Sequence, residues 1–253
     1  MKTKMLFGFP NWHQESGGHA ITDSMKHLWW FHSAEFEQYK DRPVYCIVQK
    51  EIRGNYKRLF ELAGLDVSNL HFLDKPTRFK SAIVPDNSFE SGGGKERIQP
   101  YIHEEYVKLI DNIISKYVSN IRTYEKLYLA RRSKDRRTWT SRKLESILKQ
   151  KGYHKLYMED YSFDDQIRLM QNAKEIVAPV DSCAHNTIFC KPSTKVYLLH
   201  KNFSNNVHQE LINSARNLKA TYINCHLSIR NYVTQQYTGP FFIYANDDFC
   251  QCF

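Results

Sequence analysis

No stretch of this sequence is apolar for long enough to cross a membrane; its longest apolar runs have the length of strands. The opening residues, MKTKMLFGFPNWHQ, lack the apolar core of a secretory leader, so a cytoplasmic protein is expected. The six cysteines, Cys46, Cys183, Cys190, Cys225, Cys250 and Cys252, show no Cys-x-x-Cys spacing, which argues against both a zinc ribbon and a disulfide framework. An Asp-x-Asp pair for a divalent metal is missing, as are the Walker phosphate loop and the glycine fingerprint of dinucleotide binding. There is no arginine-glycine tail, internal repeat or heptad, and none of the exposed aromatic and glycine motifs of the common RNA modules, so no specific nucleic-acid partner is expected.

What is present is a globular composition with an excess of cations. The chain has 253 residues, 42% of them hydrophobic and 14% aromatic, enough to bury a core without staples. The formal charge of +9 favours polyanionic partners such as nucleotide diphosphates, phosphorylated glycans or anionic lipid headgroups. The densest cationic run is Arg131, Arg132, Lys134, Arg136, Arg137, Arg142 and Lys143.

The pattern along the chain reads as α/β. In the first hundred residues KMLFGF (4–9), PVYCIVQK (43–50), LHFL (70–73) and FKSAIVP (79–85) predict strands, and helices are expected over 19–39 and 54–63, the second closed by Gly64. DNSFESGGGKER (86–97) reads as a linker or mobile loop, with a domain boundary near it. A helix over 100–119 carries an apolar stripe of Tyr106, Leu109, Ile110, Ile113 and Ile114, suited to bridging two lobes. From 126 onward, short apolar strands alternate with amphipathic helices, which implies a parallel sheet covered on both faces. Ligands of such sheets sit beyond the carboxyl ends of the strands, so the segments after Arg131, Pro179 and His200 are the places for chemistry.

Three clusters are candidates. In GGHAITDSMKHLWW (17–30), His19 and Asp23 are four apart on one predicted helical face, where a carboxylate could take the proton of an attacking hydroxyl. An ordinary solvated helix start has the same residues. In LYLARRSKDRRTWTSRKL (127–144), Arg131 and Arg137 follow a strand and suit a diphosphate gaining charge, although a solvated basic face would read alike. In EIVAPVDSCAHNTIF (175–189), Pro179 stops a strand and Asp181 or Ser182 can cap the next helix, leaving amides for phosphate and placing His185 and Asn186 nearby; a satisfied cap explains the same residues.

The block from Leu127 to Phe189 resembles glycosyltransferase family 61. The resemblance is carried by Arg131, Arg137, Gly152 with Tyr153, Ser162 with Phe163 and Gln166, Ala173 with Ile176, and then Pro179, Asn186 and Phe189. The His19-to-Asp23 segment resembles the family's His-x-x-x-Asp helix more loosely. The resemblance implies two Rossmann-like α/β domains of the GT-B type, an acceptor-side domain over 1–98 and a nucleotide-sugar domain over 99–253. It implies an inverting, metal-independent transferase without a cofactor, moving a hexose or pentose from a nucleotide-diphosphate sugar to a glycan or lipid-linked glycan in capsule or lipopolysaccharide assembly; the basic surface could in addition rest on the inner membrane face. Asp23 becomes the candidate base with His19 as its neighbour, and Arg131, Arg137, Gln166, Pro179, Asp181, Ser182 and Asn186 the candidate donor contacts. Val180, Asp181 and Ser182 stand where the family commonly has His-Gly-Ala, and Leu198 or Leu199 where it often has a Glu. Rival expectations are a pyruvyl-type transferase acting on polysaccharide and a non-catalytic basic binding protein.

Overall fold

The computed structural model describes residues 4–7, 20–46, 54–73, 75–92, 98–116, 120–132, 138–227 and 240–253. The chain divides into two compact units, Met1–Val118 and Ser119–Phe253. Both are mixed α/β units built on parallel sheets.

The first unit holds strands β1 (Lys4–Phe7), β2 (Val44–Cys46), β3 (Leu70–Phe72), β4 (Ala82–Ile83), β5 (Phe89–Glu90) and β6 (Tyr101–Ile102), with helices α1 (Gly54–Leu62) and α2 (Glu104–Lys116). The first four form one parallel sheet in the order β3-β2-β1-β4, while β5 and β6 make a small antiparallel pair. Gly64 ends α1 with φ +92°, a conformation glycine adopts without strain. The α2 stripe is buried as its spacing requires, with Tyr106, Leu109, Ile110 and Ile113 inside.

The predicted helix over 19–39 is not an α-helix. It is a π turn over Ala20–Ser24, a 3₁₀ helix over Met25–His32 and a further short turn at Phe36–Gln38. Tertiary bonds explain the departure. The Lys26 carbonyl accepts from both the amide and the hydroxyl of Ser88, at 2.9 and 2.6 Å, and the His27 ring bonds the Pro85 carbonyl at 2.8 Å. Trp29 Nε1 donates to the Asp86 carbonyl, and His32 bonds the Ala63 carbonyl. A straight α-helix would spend the Lys26 carbonyl on its own ladder. The 86–97 stretch is correspondingly not all loop, because β5 lies inside it; residues 93–97 fall outside the described ones.

The second unit holds β7 (Lys126–Leu129), β8 (Thr138–Thr140), β9 (His154–Leu156), β10 (Glu175–Pro179), β11 (Lys195–Leu199), β12 (Lys219–Ile223) and β13 (Phe241–Ile243). Helices α3 (Arg142–Gln150), α4 (Phe163–Asn172), α5 (Val207–Ala215) and α6 (Asp247–Cys252) flank them, with a 3₁₀ helix at Ser182–Phe189. Five strands pair in parallel in the order β12-β11-β10-β7-β9. Counted in chain order this is 2-1-3-4-5, a doubly wound arrangement whose direction reverses between β7 and β10. One face of the sheet buries Tyr128, Val177, Leu199 and Ile223 with Leu144 and Leu148 of α3 and Phe249 of α6. The sequence gives no sign of β8 and β13, which pair with each other across about a hundred residues. Neither does it announce α6.

Candidate functional site

The second sheet reverses between β7 and β10, and sheets of this order take ligands in the crevice beyond the strands' carboxyl ends at that point; the residues that follow those two strands are Ala130, Arg131, Val180 and Asp181. Backbone bonds hold the rim in place: Ala130 N donates to the Leu156 carbonyl, Val180 N to that of Leu199, and His200 N to that of Ile223. Each strand end is thereby pinned to its neighbour.

Asp181 is the centre of the rim. Its Oδ2 lies 2.9 Å from Lys201 Nζ and 3.9 Å from Arg131 Nε, and its Oδ1 accepts from the Ser182 amide at 2.6 Å. Burial alone would push the carboxyl up; the Lys201 ammonium, the Arg131 guanidinium and the Ser182 amide outweigh it and hold the group below the usual carboxylate range. Asp181 is also the N-cap of the helix Ser182–Phe189, so its charge is spent on the helix start as well as on two cations. Lys201 Nζ lies 4.8 Å from the centre of the Phe241 ring, which gives the ammonium a second, apolar neighbour. The result is a local excess of one positive charge at the crevice, with Ser182 at its edge.

The other candidate donor contacts have structural partners. Pro179 closes β10 and is buried. The Gln166 side chain donates to the Met158 and Tyr161 carbonyls, each at 3.0 Å, and so fixes the turn between β9 and α4. That turn presents Glu159 and Asp160 to Arg132, which also stacks on Tyr157 at 4.5 Å. Gln166 thus acts on the neighbour of Arg131 through the turn. The Asn186 amide nitrogen donates to the Cys183 carbonyl at 3.0 Å, while its oxygen is buried without a hydrogen-bond partner. Cys183, beneath Asp181, is pushed up to about 12 by burial first and by the Asp181 charge second, so it is no nucleophile at neutral pH. Arg137 lies outside the described residues.

In the first unit Asp23 sits on the π turn Ala20–Ser24, a rare geometry that recurs at functional sites. The turn is anchored from below: the hydroxyl of fully buried Tyr106 donates to the Ile21 carbonyl, two residues from Asp23. Burial, and the charge of Asp23, raise the Tyr106 pKa far above the ordinary phenol, so the group stays a donor at every working pH. His19 lies outside the described residues.

A family model, Glycosyltransferase 61, matches residues 18–197, from the segment before Asp23 into β11. The chain belongs to glycosyltransferase family 61. Membership makes it a glycosyltransferase, and the match takes in Arg131, Asp181 and the turn fixed by Gln166. No protein of curated function matches the chain. Lys201 lies past the matched residues, and sequence reading missed it; its one signal was its place two residues beyond the end of β11. Among the described residues no three His, Cys, Asp or Glu side chains are grouped to hold a metal ion, and no helix is long and apolar enough to cross a membrane.

Proposed function

We propose that this glycosyltransferase is an inverting enzyme of two Rossmann-like domains in the GT-B arrangement, taking a nucleotide-diphosphate hexose or pentose as donor. The acceptor is a hydroxyl of a glycan or lipid-linked glycan in a growing bacterial surface polysaccharide, of capsule or lipopolysaccharide. The observation that carries the reading is the Arg131–Asp181–Lys201 cluster at the point where the second sheet changes direction. Two cations against one carboxylate suit a diphosphate whose charge grows as it departs, without a divalent metal. The parallel order of the first sheet, β3-β2-β1-β4, supports a second doubly wound domain. The excess of nine positive charges supports peripheral contact with anionic lipid on the cytoplasmic face.

In this mechanism the Asp23 carboxylate takes the proton of the acceptor hydroxyl. The hydroxyl oxygen bonds to the anomeric carbon from the face opposite the leaving group, and the bond to the diphosphate oxygen breaks with its electron pair, which Arg131 and Lys201 stabilise. Configuration is inverted because displacement is direct. A thermal-shift screen with uridine, guanosine, thymidine and cytidine diphosphates and their sugars tests the reading. One series near saturation is expected to raise the melting temperature by about 5 °C. In the presence of the matching donor sugar, Asp23→Asn is expected to retain that shift and lose about a thousandfold in turnover. A flat screen in all four series, or unchanged turnover in the variant, would count against it.

A further inference from the structure

Beyond the cation cluster the same sheet edge continues over β11 and β12, and its chemistry changes. His200 follows β11 and His226 follows β12 by three residues. His226 is only 9% exposed, yet both of its ring nitrogens lack a hydrogen-bond partner, as does Nδ1 of His200. Buried polar groups are nearly always satisfied, and an imidazole bonded at neither nitrogen costs free energy that a ligand's hydroxyl or carbonyl would remove. Over His226 stands Phe203, its ring perpendicular at 4.4 Å, and 76% of Phe203 is exposed. A largely exposed aromatic therefore covers a buried imidazole that is hydrogen-bonded at neither nitrogen.

In strand order these groups continue the line of the cations. Along the edge, Arg131 follows β7, Asp181 follows β10, His200 and Lys201 follow β11, and His226 follows β12. Three inter-strand spacings separate the two ends, about 14 Å. A ligand filling this line carries charge at one end and, at the other, a flat ring with a hydrogen-bonding edge.

We propose that Phe203, His226 and His200 form the nucleoside end of the donor site, with the base stacked on Phe203 and its edge or the ribose hydroxyls bonded to His226. The family match ends at Tyr197, so all three residues lie beyond it. The assignment rests on the proposed donor class and names which part of the donor each end of the rim receives. A base held by stacking is bound through its π face, and the imidazole adds the choice among bases.

Calorimetric titration of the full chain with the stabilising nucleoside diphosphate, and separately with inorganic pyrophosphate, tests it. Phe203→Ala is expected to weaken the nucleoside diphosphate about tenfold and leave pyrophosphate unchanged. His226→Gln is expected to do the same with a smaller loss, and Arg131→Ala to weaken both ligands. The unchanged pyrophosphate isotherm also reports that the Phe203 and His226 variants are folded, and the melting temperature of Arg131→Ala without ligand reports the same for that variant. If Phe203→Ala and His226→Gln bind the nucleoside diphosphate as the parent does while Arg131→Ala does not, the nucleoside assignment is overturned and the donor class stands. If the parent chain binds neither ligand, both fall.

Discussion

Asp181 shows how a carboxylate can belong to the anion site proposed above. Left alone at the crevice it would repel a phosphate, but Lys201, Arg131 and the Ser182 amide share its charge and the cluster remains cationic. The same sharing ties the group to stability. A depressed pKa means that the folded state favours the ionised form, so the contribution is complete above the ordinary carboxylate value, about pH 4, and disappears as pH falls through the lowered one. Denaturation of the parent and Asp181→Asn from pH 7 to pH 3 is expected to show a gap of about 2 kcal/mol above pH 5 that closes on acidification. A gap independent of pH would contradict the ion-pair account. At this scale Arg131 was legible in the sequence because a guanidinium directly after a buried apolar strand has one place to go. Lys201 was not, since its meaning depends on Asp181, twenty residues away in sequence and 2.9 Å away in space. Gln166 was legible as part of a motif, but its bonds to the Met158 and Tyr161 carbonyls are visible only in the fold.

The helices of the second unit begin where their caps say they should. Ser141, Ser162, Asn206 and Asn246 each accept a backbone amide at the start of α3, α4, α5 and α6. These are local signals, so the alternation of strands and helices from 126 onward was readable. The first unit resists such reading because its decisive bonds are remote. The π turn bearing Asp23 depends on Tyr106, 85 residues from its Ile21 partner, and the 3₁₀ helix after it depends on Pro85, Asp86 and Ser88. β8 was hidden for a related reason: its partner β13 lies near the end of the chain, and Trp139 in the middle of β8 is half exposed. Replacing Tyr106 by Phe removes the donor and leaves a buried carbonyl, which is expected to cost about 1–2 kcal/mol in urea denaturation. Because the lost bond holds the Asp23 turn, the variant is also expected to lose turnover with donor affinity unchanged. Wild-type turnover in a destabilised variant would detach the turn from catalysis.

At the scale of the whole chain, two parallel sheets share one design rule. Each sheet has its first strand inside, flanked on both sides by later ones, and each therefore has a point where the connections reverse. In the second unit this point gathers Arg131, Asp181 and Lys201 from three different strand ends, which turns a general cationic excess into a located one. In the proposed function these cations take the place of a metal ion in holding the donor's diphosphate. Its most direct test is the affinity for the preferred nucleoside diphosphate, measured calorimetrically in excess magnesium and again with chelator, on the parent and on Arg131→Ala with Lys201→Ala. Equal affinity of the parent in both buffers and a loss of at least a hundredfold in the double variant are expected; affinity that vanishes with chelator, or survives the loss of both cations, would rule this role out.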